Sequence, residues 1–188
     1  MATVDDIPSW SRLAPNIAVS YAKLQDECQA RELAEAARVA EEAAAEWLAA
    51  WPGGDLDAKD EAGWSALQRA AEAGQAAAAA ELLRRPGVEV NGVEPTKGQP
   101  ALVLASRGGH AAVVRVLLAC AEVEVNHAVR GNYTALYIAA QEGKEAVVEL
   151  LLAHAAVDAN QARQDGVTPL IIAAVNGHEA VVALLLAH

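Results

Sequence analysis

The sequence predicts an all-α solenoid of helix–turn–helix units with hairpin loops, preceded by one long N-terminal helix. Three observations predict it. The stretch TPLIIAAVNGHEAVVALLLAH at 168–188 matches TALYIAAQEGKEAVVELLLAH at 134–154 at 15 of 21 positions. Leu67, Leu102, Leu136 and Leu170 stand 35, 34 and 34 residues apart, and Gly74, Gly109, Gly143 and Gly177 keep the same intervals. Hydrophobic residues make up 54% of the chain, yet aromatics make up 4% and Phe is absent, so alanine carries much of the apolar content. Self-similarity at this period marks stacked units, none of which buries its apolar face alone. Small side chains suit closely packed helices better than a bulky β-sandwich core.

Each unit opens on a residue suited to a helix start: Ser65, Pro100, Thr134 and Thr168. A hydroxyl there caps free N–H groups of the first turn, and Pro fits the first turn because it lacks that N–H. The pairs Ala70-Ala71, Ala139-Ala140 and Ala173-Ala174, with Ala105-Ser106 in the second unit, let neighbouring helices approach closely. The recurring Gly then ends the first helix, where a left-handed residue costs little. A second helix follows with apolar spacing of three and four, as in Val147, Val148, Leu151 and Leu152. VEVN or VDAN closes the first three units at Asn91, Asn126 and Asn160, and the rest of each unit is polar and turn-rich, suited to an extended hairpin loop.

Ahead of the units, residues 16–51 contain no Gly or Pro and are rich in Ala, Glu and Arg. One long helix is expected there, starting after Pro15 with Asn16 as its cap and ending at Pro52-Gly53-Gly54. Its apolar spacing slips phase near residue 30, which makes it a poor coiled coil. EWLAAWPGGDLDAKD aligns with ELLRRPGVEVN of the next unit, so the end of this helix reads as a degenerate second helix of a missing repeat, an N-terminal cap. The small Ala78 and Ala79 of unit one leave room for Trp47 or Trp51. The expected organisation is an irregular tail at 1–15, a helical capping segment at 16–54 and repeats over 55–188. The units run about 57–91, 92–126, 127–160 and a truncated 161–188. The tail, with Trp10 among Pro and Ser, either docks on something or folds back on its own helix.

This pattern resembles the ankyrin repeat, with its G-x-T-P-L opening and its A-A, G-H and L-L-L signatures. The last unit carries Gly166, Thr168, Pro169, Leu170, Ala173, Ala174, Gly177, His178 and Leu184 to Leu186. The first-helix His of the family is replaced by Gln68, Val103, Tyr137 and Ile171, and Asn132 stands where the loop Gly of unit three belongs. Asn also visits the left-handed region. The resemblance implies protein partners on a concave face made by loop tips and the exposed side of each first helix. Carried over position by position, that face holds Glu61, Trp64 and Glu72 in unit one and Lys97, Gln99 and Arg107 in unit two. Unit three contributes Arg130, Tyr133, Gln141 and Glu142, and unit four Gln164, Asp165, Val167 and Asn176. Trp64 and Tyr133 are the amphipathic anchors that interfaces favour. Cations gather in the middle units and acids toward the flanks, which fits a groove for a protein segment with an acidic centre or an ordinary solvated surface.

No enzyme is expected. The sequence contains no Walker A loop, no G-x-G-x-x-G after a strand, no H-E-x-x-H and no C-x-x-C. His110 and His178 share one repeat position, as do His154 and His188, so repetition explains them without a metal. No cofactor is expected either. LRRPGVEVN and LACAEVEVN resemble the motif that asparaginyl hydroxylases modify in ankyrin loops, the competing reading being that Asn91 and Asn126 stabilise the turn. Asn132-Tyr133-Thr134 is formally a glycosylation sequon, set aside because Thr134 is needed at a helix start.

The formal charge of -11 divides into -6 over residues 1–56 (ten acids, four bases) and -5 over 57–188 (fifteen acids, ten bases). Neither part is built for nucleic acid, where counterion release needs clustered Lys and Arg, and an anionic membrane is disfavoured for the same reason. MATVDDIPSW lacks the pattern of a secretory signal, and AVVALLLA is about half the length of a membrane span. Cys28 and Cys120 lie far apart in unlike contexts, which speaks against a disulfide and for a reducing compartment. The expectation is an intracellular protein, cytoplasmic by default, with organelle targeting left open. Three roles fit: an adaptor or scaffold, a structural subunit of a large assembly, and a regulatory domain of a longer protein. Terminal repeats normally carry polar outer faces, yet AVVALLLAH keeps the internal pattern. An uncovered face of roughly 300 Å² forfeits on the order of 7 kcal/mol. Either further chain beyond His188 or a partner seated on Val181, Leu184 and Leu185 is therefore expected.

Overall fold

A computed structural model describes residues 15–51, 55–56 and 58–188, with side chains from residue 26 onward. The irregular tail expected at 1–15 and the Pro52-Gly53-Gly54 stop lie almost wholly outside the described residues. The described residues form nine helices and no strand. Helix α1 runs Pro15–Ala49; the pairs that follow are α2 (Ala66–Glu72) with α3 (Ala76–Leu83), and α4 (Ala101–Gly108) with α5 (Ala111–Leu118). The last two pairs are α6 (Ala135–Gln141) with α7 (Glu145–Leu152), and α8 (Pro169–Val175) with α9 (Glu179–Ala187).

Packing divides the chain inside α1, at Ala43 and Ala44. Within residues 26–43 every side chain is exposed, including Leu33 and Val39. Helix here rests on Ala-rich propensity and local ion pairs, such as Arg38 with Glu35 at 2.5 Å and with Glu42 at 3.4 Å. From Ala44 onward the chain is one repeat body. Ala44 and Trp51 are buried in the same apolar cluster as Ala78 and Ala79, with Trp47 half-buried beside them. The Trp47 and Trp51 rings lie 6.0 Å apart, tilted by 39°.

The repeat body has two layers. First helices pack in a row, α2 on α4, α4 on α6 and α6 on α8, and second helices in a parallel row, α3 on α5, α5 on α7 and α7 on α9. Alanines at the first-row contacts (Ala70, Ala71, Ala105, Ala139, Ala140) are fully buried, which is what lets the helices approach. Val113, Val114, Leu117, Val147, Val148 and Leu151 fill the space between the rows.

Local starts and stops follow the residues. Ser65 forms a capping box with Gln68, and the Thr134 and Thr168 hydroxyls accept from the Tyr137 and Ile171 backbone N–H groups. Pro100, expected in the first turn, is instead the cap residue one place earlier and offers no side-chain acceptor, whereas Pro169 does sit inside the first turn. Asn132 adopts φ 64°, the left-handed conformation expected of a loop glycine's substitute, and its Nδ2 donates to the Ala162 carbonyl at 2.5 Å. The hairpins are pinned by single antiparallel bridges, Val93 with Pro100 and Val129 with Tyr133.

Successive units are tied by side chains reaching backbone. Asn91 donates to the Glu122 carbonyl at 2.7 Å and accepts from the Glu124 N–H at 2.9 Å. Asn126 repeats this with Ala156 and Asp158 one unit later. Gln68, at the place of the absent first-helix His, donates to the Gly92 carbonyl at 2.7 Å and so serves the next loop in unit one. His110 Nε2 lies 3.1 Å from the Glu72 carbonyl and His178 Nε2 2.9 Å from that of Gln141, each satisfying an orphan carbonyl at the end of the preceding unit's first helix. Gly74 and Gly143, both at positive φ, must lack a side chain because a Cβ there would meet His110 or His178 at 2.7 or 2.6 Å.

Candidate binding surface

The loop tips are built by a different device in each unit. In unit one, Asp60 accepts from the Trp64 and Ala62 N–H groups at 2.8 and 3.0 Å and pairs with Arg69 at 2.8 Å. Burial pushes its carboxyl upward, but the Trp64 N–H and Arg69 outweigh that and hold it below the usual range. In unit two the tip carries one more residue, and the longer Glu94 spans it. Its carboxylate takes the Thr96, Lys97 and Gln99 backbone N–H groups at 2.6, 2.7 and 3.2 Å, together with the Thr96 hydroxyl. Glu94 is only 1% exposed. Burial raises its carboxyl, and those donors, Thr96 foremost, more than reverse the effect.

Unit three has Val129 at the corresponding place. Its tip is held by Tyr133, whose ring meets Tyr137 edge-on at 5.3 Å and lies 5.4 Å below the Arg163 guanidinium of the next tip. Arg163 also donates to the Tyr133 hydroxyl at 3.2 Å and grips Asp165 through both nitrogens. That hydrogen-bonded pairing holds the Asp165 carboxyl below its usual range.

Five of the residues expected on the binding face converge. Trp64, Glu72, Lys97, Gln99 and Arg107 line one pocket of about 450 Å³ between the first two units, with Thr96, Gly108, Glu94 and Leu104. Glu94 and Leu104 were missed by sequence reasoning; the only signal for Glu94 was its place in the longer, 35-residue interval. Glu61, Arg130, Gln164, Asp165, Glu142 and Asn176 are exposed, and Gln141 and Val167 half-buried, but none of them joins this pocket. Asn176 donates to the Gln141 carbonyl at 2.9 Å, which makes it partly a bridge between units.

Three expectations need correction. Trp64 is 9% exposed, its ring stacked under the Arg69 guanidinium at 4.3 Å, so it is a wall of the pocket and not a projecting anchor. Gln99 is 7% exposed, drawn in as its N–H completes the Glu94 turn. Val181, expected on the open end face, is 1% exposed and belongs to the apolar core. Leu184 and Leu185 are half-buried; the apolar side chains left open on the last unit are Ile171, Val175 and Leu186.

Among the described residues no helix is long and apolar enough to cross a membrane, and both cysteines are free. Two rows of short helices, joined by hairpin tips and tied unit to unit, define a helical-repeat solenoid. A family model described as ankyrin repeats (3 copies) matches residues 33–129 and 121–188. The chain belongs to the ankyrin-repeat family. The match begins inside α1, upstream of the first complete unit. Ankyrin repeats are generally protein–protein interaction modules, and the family is typically non-catalytic. No curated protein matches the chain.

Proposed function

We propose that this chain is a non-catalytic adaptor or scaffold that binds a partner protein through its concave face. One observation carries the reading: Lys97, Arg107 and Arg130 in the middle units have no ion-pair partner among the described residues, whereas Glu72 and Asp165 toward the flanks are held by Arg69 and Arg163. Three unpaired cations in the middle units suit a protein segment with an acidic centre. Capturing proteins from the source cells with the chain as bait, then repeating with Arg107→Glu/Arg130→Glu, tests it. Loss of the captured partner is expected; undiminished capture removes the concave-face reading.

A second reading, a structural subunit of a larger assembly, draws on Ile171, Val175 and Leu186, which are 46%, 74% and 69% exposed. Native size separates the two. A monomer that exchanges partners favours the adaptor, and recovery in one stable particle favours the subunit.

A further inference from the structure

We propose that the pocket between the first two units is a socket for a single acidic side chain, Asp or Glu, of the bound protein segment. The proposal rests on the concave-face reading and narrows it to one place. Four acceptor sites are what a carboxylate offers, and Glu94 spends them on three backbone N–H groups and the Thr96 hydroxyl. Glu72, the other acid of the pocket, is paired with Arg69 at 3.2 Å. Both native acids are thus engaged with other groups, and the Lys97 ammonium and Arg107 guanidinium of the same pocket have no ion-pair partner among the described residues. Arg offers a planar fork that fits a carboxylate, and Lys a mobile point charge that reaches it from the side.

Gln99 lines the same pocket and is drawn in with it, its backbone N–H donating to Glu94 at 3.2 Å. Trp64 and Leu104 supply apolar wall for the methylenes of the guest. Elsewhere on the face the charges differ: Arg163 is already taken by Asp165, and Arg130 stands outside the pocket.

The test is a selection of random 12-residue peptides displayed on phage against the full chain, with Lys97→Glu, Arg107→Glu and, on the second-helix row, Arg115→Glu as parallel baits. Wild-type and Arg115→Glu selections are expected to enrich Asp or Glu at one position about tenfold, the enrichment that one well-placed charge pair gives. Arg107→Glu is expected to replace that preference with Lys or Arg, and Lys97→Glu to reduce it. Melting temperatures establish that each bait is folded. If Arg107→Glu fails to fold, the exposed Lys97→Glu bait carries the same comparison. Enrichment without an acidic position, enrichment of basic residues by the wild type, or equal changes with Arg115→Glu overturn the socket and leave the concave-face reading standing. No peptide retained above the bare support overturns both.

Discussion

Helices α7 and α9 are nearly the same sentence, EAVVELLL and EAVVALLL, in two different neighbourhoods. Val147 and Val181 are each 1% exposed. Val148 and Leu151 are fully buried, whereas Val182 and Leu185, their counterparts, are only half-buried. The same holds in the first-helix row, where Tyr137 is fully buried and Ile171 is 46% exposed. Residues at equivalent positions therefore differ in burial because of what stands beside them. Within a solenoid, half of a unit's core belongs to the next unit.

The largest break in this comparison comes from Leu151→Ala and Leu185→Ala. Removing Leu151 from a closed core is expected to cost about 3–4 kcal/mol, and removing half-buried Leu185 about 1 kcal/mol; denaturant titration of both variants measures the gap. Equal losses would mean that α9 is packed as tightly as α7. Native-state hydrogen exchange sharpens the point, with α8 and α9 expected to open at lower free energy than α6 and α7.

Next in size is Glu94→Gln, expected to destabilise by about 2 kcal/mol because a charged acceptor of several backbone N–H groups is lost. The sign with pH follows from the lowered carboxyls of Glu94 and Asp60. Their stabilisation is present above the ordinary carboxylate pKa, near about 4, and disappears as pH falls through the lower folded-state values. Melts from pH 6 to pH 2 should show a steep acid limb that is shallower in Glu94→Gln. Thr134→Ala and Thr168→Ala should each cost about 1 kcal/mol through loss of a cap. Smallest is Tyr137→Phe: the buried hydroxyl has no hydrogen-bond partner, so a melt is expected to be unchanged or raised by the equivalent of about 1 kcal/mol.

The stacking was legible in the sequence because Gly74, Gly109, Gly143 and Gly177 punctuate it at near-fixed intervals and Ser65, Thr134 and Thr168 announce three of the first helices. The fate of side chains on the surface was less so. Trp64 looked available because its position belongs to a loop tip, but Arg69, five residues on, folds over it. Val181 looked open because it lies in the last of the four units, yet it is buried in the core, on a helix packed against α7. Gln68 replaced the expected His and kept its bond to the following loop, a substitution that amide chemistry permits and residue matching alone does not reveal. Glu94 was invisible until the extra residue of its tip had a shape.

The amide bridges of Asn91 and Asn126 carry a further consequence. Asn91 reaches the carbonyl 31 residues ahead of it, and Asn126 the one 30 ahead. The mismatch is the additional residue of the Glu94–Gln99 tip, which bulges outward while both bridges close on equivalent atoms. Length changes are thereby shunted to the tips and kept away from the stack. The part of the molecule freest to diverge is the part proposed to face a partner, so new specificities can be tried there without re-solving the fold.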